Sequence, residues 1–348
     1  MFAVRLHQPG GPEQLVYEEV PTPSAGPGQV LVKLRCAALN RRDVWIRIGR
    51  QMSDHLPLIL GSDGAGVVSQ VGQAVTRVKP GDDVVILPTM FCGTCRNCMA
   101  GQHSLCDRFE RMDGILGGPS SGTYAQYVVV PELNVFARPE ALSWEESGAF
   151  PLAGLTAYRM IVRRARVHAG EQVLIHGIGG GVATFALQIA RANGARVMVT
   201  SSSEEKLSRA RELGAEATVN YRDPHWEEAV KDWTAGLGTD VVVETVGAAT
   251  WSSSVRLVRR GGRIAICGTT TGSEITTTLR DIYWNQVTVL GSTMGTASEF
   301  AELIQLLESG QVRPVVDRVF PLAEAAAAHL RMDQGEQLGK IVLSVPDD

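Results

Sequence analysis

One stretch constrains the fold more than any other: residues 171–206, EQVLIHGIGGGVATFALQIARANGARVMVTSSSEEK. It opens on a short aliphatic run, Val173-Leu174-Ile175, passes through Gly177, Gly179, Gly180 and Gly181, and continues as a helical pattern. Val182, Phe185, Ala186, Ile189 and Ala190 recur at offsets 0, 3, 4, 7 and 8, which draws one apolar stripe along a helix. Asn193-Gly194 ends that pattern, and residues 195–200 read as a second strand. Strand, glycine turn, helix and strand in immediate succession make a parallel βαβ unit. Without Cβ atoms the turn admits a close-lying group, and the helix start offers unpaired N–H groups to an anion such as a dinucleotide's pyrophosphate. The spacing departs from strict G-x-G-x-x-G: with Gly180 second and Ala183 third, Ile178 takes the first place. The βαβ context therefore carries the reading, and the bland alternative is a glycine-rich turn without a ligand.

Around this unit, short apolar runs at 173–176, 195–200, 217–219, 240–244, 263–267 and 287–290 predict six strands, with helical patterns at 206–213, 226–233 and 251–258 between the first five. Such alternation predicts a doubly wound parallel sheet of six strands, with its ligand crevice at the carboxyl ends of the strands. The tail reads as a helix at 297–309, a strand at 315–319, an alanine-rich helix at 322–332 and a strand at 340–345, and is expected to return to the first domain. Before the sheet, runs at 2–6, 16–20, 30–34, 61–68, 78–86 and 124–130, separated by Pro/Gly turns, predict a β-rich, barrel-like domain. A short helix near Asn40 to Trp45 interrupts it before Gly49. The boundaries drawn are 1–150, 151–293 and 294–348, the overall class α/β.

A chain of 348 residues accommodates about two domains, and a net charge of −4 provides no electrostatic footprint for nucleic acid or an anionic membrane. No apolar run approaches the roughly 20 residues that span a bilayer, and MFAVRLHQPGGPE lacks a signal-peptide core, so the expectation is a cytoplasmic protein acting on a small molecule. Four of the six cysteines, Cys92, Cys95, Cys98 and Cys106, form C-x2-C-x2-C-x7-C. Four thiolates on one loop wrap tetrahedrally around Zn²⁺ and leave no open position, which describes a structural site. The rival is an iron–sulfur cluster, whose bacterial ferredoxin run places three residues before a last cysteine that proline follows. Here seven residues intervene and Asp107 follows. Cys36 and Cys267 lie in apolar runs and are expected to be inert.

Gly11-Pro12-Glu13, Ala38-Leu39-Asn40-x-x-Asp43, Gly61-x-Asp63-x-x-Gly66-Val67-Val68, the four-cysteine loop, Leu155-Thr156-Ala157-Tyr158 and Gly180-Gly181-Val182 together resemble the medium-chain dehydrogenase/reductase superfamily over essentially the whole chain. The resemblance implies a GroES-like catalytic domain, a Rossmann cofactor domain, hydride transfer with NAD(P) and assembly as a homodimer or homotetramer. Zinc alcohol dehydrogenases of that superfamily hold a catalytic zinc through a cysteine, a histidine and a second cysteine or acid; the aligned positions here are Asn40, Ser62 and Leu152. Leucine cannot ligate, and neutral Asn and Ser oxygens are poor partners for Zn²⁺. The Asn40 pattern is similar to the quinone oxidoreductase branch, which works without catalytic metal, although most members of that branch lack the four-cysteine loop.

On this basis Asn40 is a candidate catalytic donor to a substrate carbonyl or the nicotinamide ribose, with a loop cap as its bland alternative. Asp43 is a candidate for orienting neighbouring arginines or the cofactor, or a helix-start carboxylate. Trp45 reads as a pocket wall or core residue, and Arg41 and Arg42 as solvated. Asp63 is a remnant metal ligand or a salt-bridge partner, and His55 and His176, without visible partners, receive no role. For the cofactor, Thr156, Gly180, Gly181, Val182, Ser201, Ser202, Lys206 and Tyr221 are the candidate contacts. NAD sites place an acid at the end of the second strand, where this chain has Ser201; Ser202, Lys206 and Tyr221 or Arg222 nearby suit a 2′-phosphate, while Glu204 and Glu205 are expected to begin the next helix. The expectation is an NADPH-dependent reductase of quinones, enones or related carbonyls carrying structural Zn²⁺. The alternatives are a zinc-dependent alcohol dehydrogenase with ligands around Asp63, and a non-enzymatic NADPH- or RNA-binding protein.

Overall fold

The computed structural model describes residues 1–50, 56–109, 114–118 and 120–346, which form two compact units. The first comprises residues 1–155, 294–310 and 314–348, and the second residues 156–293 and 311–313.

In the second unit six parallel strands lie in the order Ala217–Asn220, Arg196–Ser201, Gln172–Ile175, Thr239–Glu244, Val258–Ile266 and Thr288–Gly291. Chain order therefore reverses beside Gln172–Ile175, the switch point at which such sheets open a crevice beyond their carboxyl ends. The central strands run Val173-Leu174-Ile175 and Val241-Val242-Val243 because helices cover both faces; all six residues are buried. The helix Gly181–Ala192 is buried over residues 183–190, Thr184 and Gln188 included, a wider face than the single stripe predicted, while Val182 is half-buried. It ends at Asn193, and Gly194 follows with φ +80. The helices Glu204–Glu212, Trp226–Trp233 and Trp251–Leu257 match the predicted patterns within two residues at each end. A further helix, Leu279–Asn285, was not expected; it buries none of its residues, so no apolar periodicity marks it.

In the first unit the long strand Gln29–Ala38 is the hub. It pairs antiparallel with Asp63–Val71, Tyr127–Pro131 and Lys340–Ser344, and the sheet continues through Asp83–Ile86 to Val135–Ala137 on one side and Val316–Pro321 on the other. A smaller sheet joins Phe2–Leu6 to Leu15–Glu19 and Leu58–Ile59. Register at the end of the hub positions the candidate site: Ala38 lies opposite Asp63 on one neighbour and Val342 on the other. The chain then enters the helix Arg41–Arg47 through Asn40. The alanine-rich segment of the tail splits into a tight turn, Leu322–Glu324, and a helix, Ala325–Gln334, which buries Ala328 and His329.

Candidate functional site

Three clusters carry chemistry. The Sγ atoms of Cys92, Cys95, Cys98 and Cys106 lie within 4.8 Å of one another, the one such group of metal-binding side chains among the described residues. Thiolates about 2.3 Å from a tetrahedral ion stand about 3.8 Å apart, and Cys92 and Cys98 are separated by 3.9 Å. Backbone N–H groups point at the sulfurs: Cys95 donates to Cys92, Cys98 to Cys95 and Cys92 to Cys106, at 3.3 to 3.4 Å. Such donors favour thiolate, the form that binds metal. Cys36 and Cys267 lie outside this loop, and burial pushes both thiols up to about 12.

The second cluster stands at the carboxyl end of the parallel sheet. Gly177, at φ +70, turns the chain out of its strand, and its N–H donates to Thr200 Oγ1 on the adjoining strand at 3.1 Å. Gly180 caps the helix Gly181–Ala192, and a Cβ added there would project into open space, so the turn has room for a group lying against its backbone. The first-turn N–H groups of that helix, on Gly181 and Val182, have no partner along the helix and fit an anion. At the end of the second strand Ser201 Oγ accepts the Ser203 N–H at 3.1 Å, and the Tyr221 N–H bonds the Ser201 carbonyl at 3.1 Å. Ser203 in turn accepts the Lys206 N–H at 3.3 Å. Ser201, Ser202, Lys206 and Tyr221 thus share one corner, whereas Thr156 stands buried on the separate helix Pro151–Tyr158. Glu204 and Glu205 occupy the first turn of their helix, and Glu204 accepts from Asn220 Nδ2 at 2.7 Å.

His176 gains a partner that the sequence does not show: its Nε2 lies 3.1 Å from Ser254 Oγ, which donates to buried Glu244 at 2.6 Å. Burial holds His176 below the usual imidazole range. His55 lies outside the described residues.

The third cluster is in the first unit. Asn40 is the N-cap of the helix Arg41–Arg47, and Asp43 Oδ2 accepts its backbone N–H at 2.8 Å. The Asn40 side chain faces Asp63 and Lys340. Its Nδ2 donates to Asp63 Oδ2 at 2.9 Å, and its Oδ1 accepts from Lys340 Nζ at 2.6 Å. Lys340 also donates to Asp63 Oδ2 at 2.8 Å and to the Leu39 carbonyl at 2.7 Å. The other Asp63 oxygen accepts the Leu152 backbone N–H at 2.7 Å. Asp63 is therefore a salt-bridge partner with both carboxylate oxygens engaged. Ser62 is occupied as well, accepting from Arg42 at 3.0 Å and donating to the Leu116 carbonyl at 2.8 Å. Gly61 makes this bend possible: its φ is +97, and a Cβ would stand 2.4 Å from the Tyr124 ring.

Behind Asn40 the network continues inward. Tyr124 OH donates to Asp43 Oδ2 at 3.0 Å and lies 3.3 Å from His329 Nε2. Burial raises the Asp43 carboxyl above the usual range and lowers His329 to about 3, with the Arg47 and Arg41 charges adding to the latter. Arg41 and Arg42 are not simply solvated, since Arg41 donates to the Met332 carbonyl at 3.0 Å and Arg42 to Ser62 and Leu116. Trp45 is half-buried. Lys340, Tyr124, His329 and the Leu152 N–H are absent from the sequence reading. The one signal for Lys340 is a lysine heading the apolar run Ile341-Val342-Leu343.

Among the described residues no helix is long and apolar enough to cross a membrane. The chain matches two family models, the alcohol dehydrogenase GroES-like domain over residues 26–140 and the zinc-binding dehydrogenase over 181–309. It is 35% identical to a zinc-type alcohol dehydrogenase-like protein of Schizosaccharomyces pombe over 344 residues, 96% of each chain. It is 30% identical to the quinone oxidoreductase of Homo sapiens over 352 residues, 99% of this chain and 97% of that one. A solved NAD-dependent alcohol dehydrogenase superposes with a TM-score of 0.95 at 43% identity, covering 99% of this chain and 100% of that one. A GroES-like unit, a six-stranded parallel sheet with a glycine turn at its switch point, and these full-length relationships lead to one assignment: the chain belongs to the medium-chain dehydrogenase/reductase superfamily and is an NAD(P)-dependent oxidoreductase.

Proposed function

We propose that this enzyme is an NADPH-dependent reductase of quinones, enones or related activated carbonyl compounds that works without a catalytic metal. The observation that carries the reading is the occupancy of the Asn40 cluster. A catalytic zinc needs about three protein ligands and an open position. Asn40, Ser62 and Leu152 supply no strong ligand, and Asp63 spends both oxygens on Leu152, Asn40 and Lys340. When bound, the nicotinamide supplies the hydride. Asn40 supplies an amide N–H to the acceptor's oxygen, where negative charge develops as its carbon is reduced. Asp43 is fully buried, so its part is to hold the Asn40 backbone rather than to touch substrate.

For the cofactor, Gly180, Gly181 and Val182 receive the pyrophosphate, and Ser201, Ser202, Lys206 and Tyr221 the adenosine end. NADPH is favoured because no acid stands at Ser201 and Glu204 is tied to Asn220; NADH, suggested by the name of the solved neighbour, is the alternative. The four cysteines hold one structural Zn²⁺, which stiffens its loop and takes no part in turnover. A homodimer is supported by the edge strand Thr288–Gly291, preceded by a helix that exposes Tyr283 and Trp284. Sedimentation at micromolar concentration checks this, and a monomer rejects it.

The deciding experiment follows NADPH oxidation after brief chelation that leaves the four-cysteine metal in place. Turnover is expected to persist. Activity lost on chelation and restored by added Zn²⁺ would reject the metal-independent reading in favour of the alcohol dehydrogenase one.

A further inference from the structure

We infer that Lys340 is the positioning residue of this site: with Asp63 it locks the Asn40 side chain in the one orientation that presents an amide N–H to substrate. The inference rests on the proposed role of Asn40 and extends it to a residue 300 positions away.

An asparagine amide has two orientations related by a flip, and its partners decide between them. An ammonium cannot accept a hydrogen bond, so the group 2.6 Å from Lys340 Nζ must be the Asn40 oxygen. A carboxylate cannot donate, so the group 2.9 Å from Asp63 Oδ2 must be the Asn40 nitrogen. The lock needs both partners, which together leave the flipped orientation with two repulsive contacts. The arrangement engages one of the two hydrogens on Nδ2. The other has no acceptor among the described residues and is the donor that a carbonyl oxygen would meet.

Lys340 is not itself a donor to substrate. Its three N–H groups are directed at the Leu39 carbonyl, Asn40 Oδ1 and Asp63 Oδ2, all within 2.8 Å, and it is 3% exposed. It acts through Asn40 in two ways. It fixes the amide, and its charge at the amide oxygen draws electron density from the nitrogen and strengthens the N–H as a donor. Donor strength matters most for an acceptor whose oxygen is weakly activated. Loss of Lys340 should therefore penalise simple enones more than quinones.

A purely structural lysine would neutralise Asp63 and align the last strand without affecting chemistry. Steady-state kinetics of Lys340→Met, Lys340→Arg, Asn40→Ala and the Lys340→Met/Asn40→Ala double variant separate the two roles. NADPH titration and circular dichroism confirm that each variant is folded. Removing an oriented donor costs about 10²-fold in kcat, so Asn40→Ala should lose about that much. Lys340→Met should lose a similar factor in kcat at nearly unchanged NADPH affinity, the double variant should be no worse than Asn40→Ala, and Lys340→Arg should recover part of the loss. If Lys340→Met fails to fold, Asp63→Ala, which removes the acceptor for Nδ2, should show a kcat loss in the same direction. A folded Lys340→Met enzyme with wild-type kcat, or losses that multiply in the double variant, would overturn the inference. If Asn40→Ala itself leaves kcat unchanged, the underlying reading of Asn40 fails instead.

Discussion

His329 should make the first unit sensitive to acid. Its imidazole is fully buried and its pKa lies at about 3, because burial disfavours the charged form and the Arg47 and Arg41 charges oppose it. In the unfolded chain a histidine titrates near 6.5. The folded value is the lower one, so the contribution to stability is complete above pH 6.5 and is lost as pH falls toward 3. At pH 5 the gap between ambient pH and the unfolded value is about 1.5 units, and at about 1.4 kcal/mol per unit the loss is about 2 kcal/mol. The hydrogen bonds agree with a neutral ring. Tyr124 gives its proton to Asp43, so Nε2 donates to the tyrosine oxygen, and Nδ1 is a buried atom without a partner among the described residues. The perturbation is His329→Gln, whose amide can still donate to Tyr124 and does not titrate. Urea unfolding of both proteins at pH 7 and pH 5, at one protein concentration, is the assay. The parent should lose about 2 kcal/mol more than the variant, roughly 4–8 °C in Tm for a unit of this size. Burial of Asp43 acts in the opposite direction, its raised value favouring the fold as pH falls, but it is common to both proteins and cancels in the difference. Equal losses in the two proteins would refute the assignment of a buried neutral His329.

The remaining predictions concern the other clusters. Metal analysis of purified protein should find one Zn²⁺ per chain, and Cys95→Ser should lower thermal stability while changing kcat less than twofold; two ions per chain would contradict the reading of Asn40, Ser62 and Leu152. Ser201→Asp should shift preference toward NADH by about tenfold, about 1.4 kcal/mol, through repulsion of the 2′-phosphate. Titration of both cofactors checks it, and a parent enzyme with equal or reversed affinities would sink the NADPH assignment.

The parallel sheet was readable because its strands are aliphatic runs bounded by glycine, and its helices bury a periodic face. Where burial is missing, so is the signal: the helix Leu279–Asn285 buries nothing, and Leu58–Ile59 is too short to show alternation. The four-cysteine cluster was readable because all four side chains come from one loop. The Asn40 cluster was half readable. Asn40, Asp43, Ser62 and Asp63 sit in local motifs, but Lys340 reaches them only through the antiparallel register that sets Val342 and Asp63 opposite Ala38. Arg41 and Arg42 were misread for a related reason, since their acceptors, Met332, Ser62 and Leu116, are distant in sequence.

Electrostatics supports the proposed metal-independent reading of this cluster. Thiolate and carboxylate ligands collected around one point repel one another and need a metal to hold them. Here Asn40 and Ser62 are neutral and Leu152 presents a backbone N–H, which leaves Asp63 as the charged member beside Asn40. Buried alone it would be costly, but Lys340 supplies the opposite charge at 2.8 Å and the hydrogen bonds that satisfy it come from Asn40 and Leu152. Buried ion pairs of this kind contribute little net stability relative to apolar residues of the same volume. A pair whose stability value is small, yet whose two members touch opposite ends of one amide, is better accounted for by the orientation it imposes. The same geometry makes Asp63 a poor metal ligand, because Zn²⁺ binding would strip it from Lys340 and leave the lysine buried without a counter-charge. The neutral amide at Asn40 and the charge pairing at Asp63 are thus two parts of one arrangement.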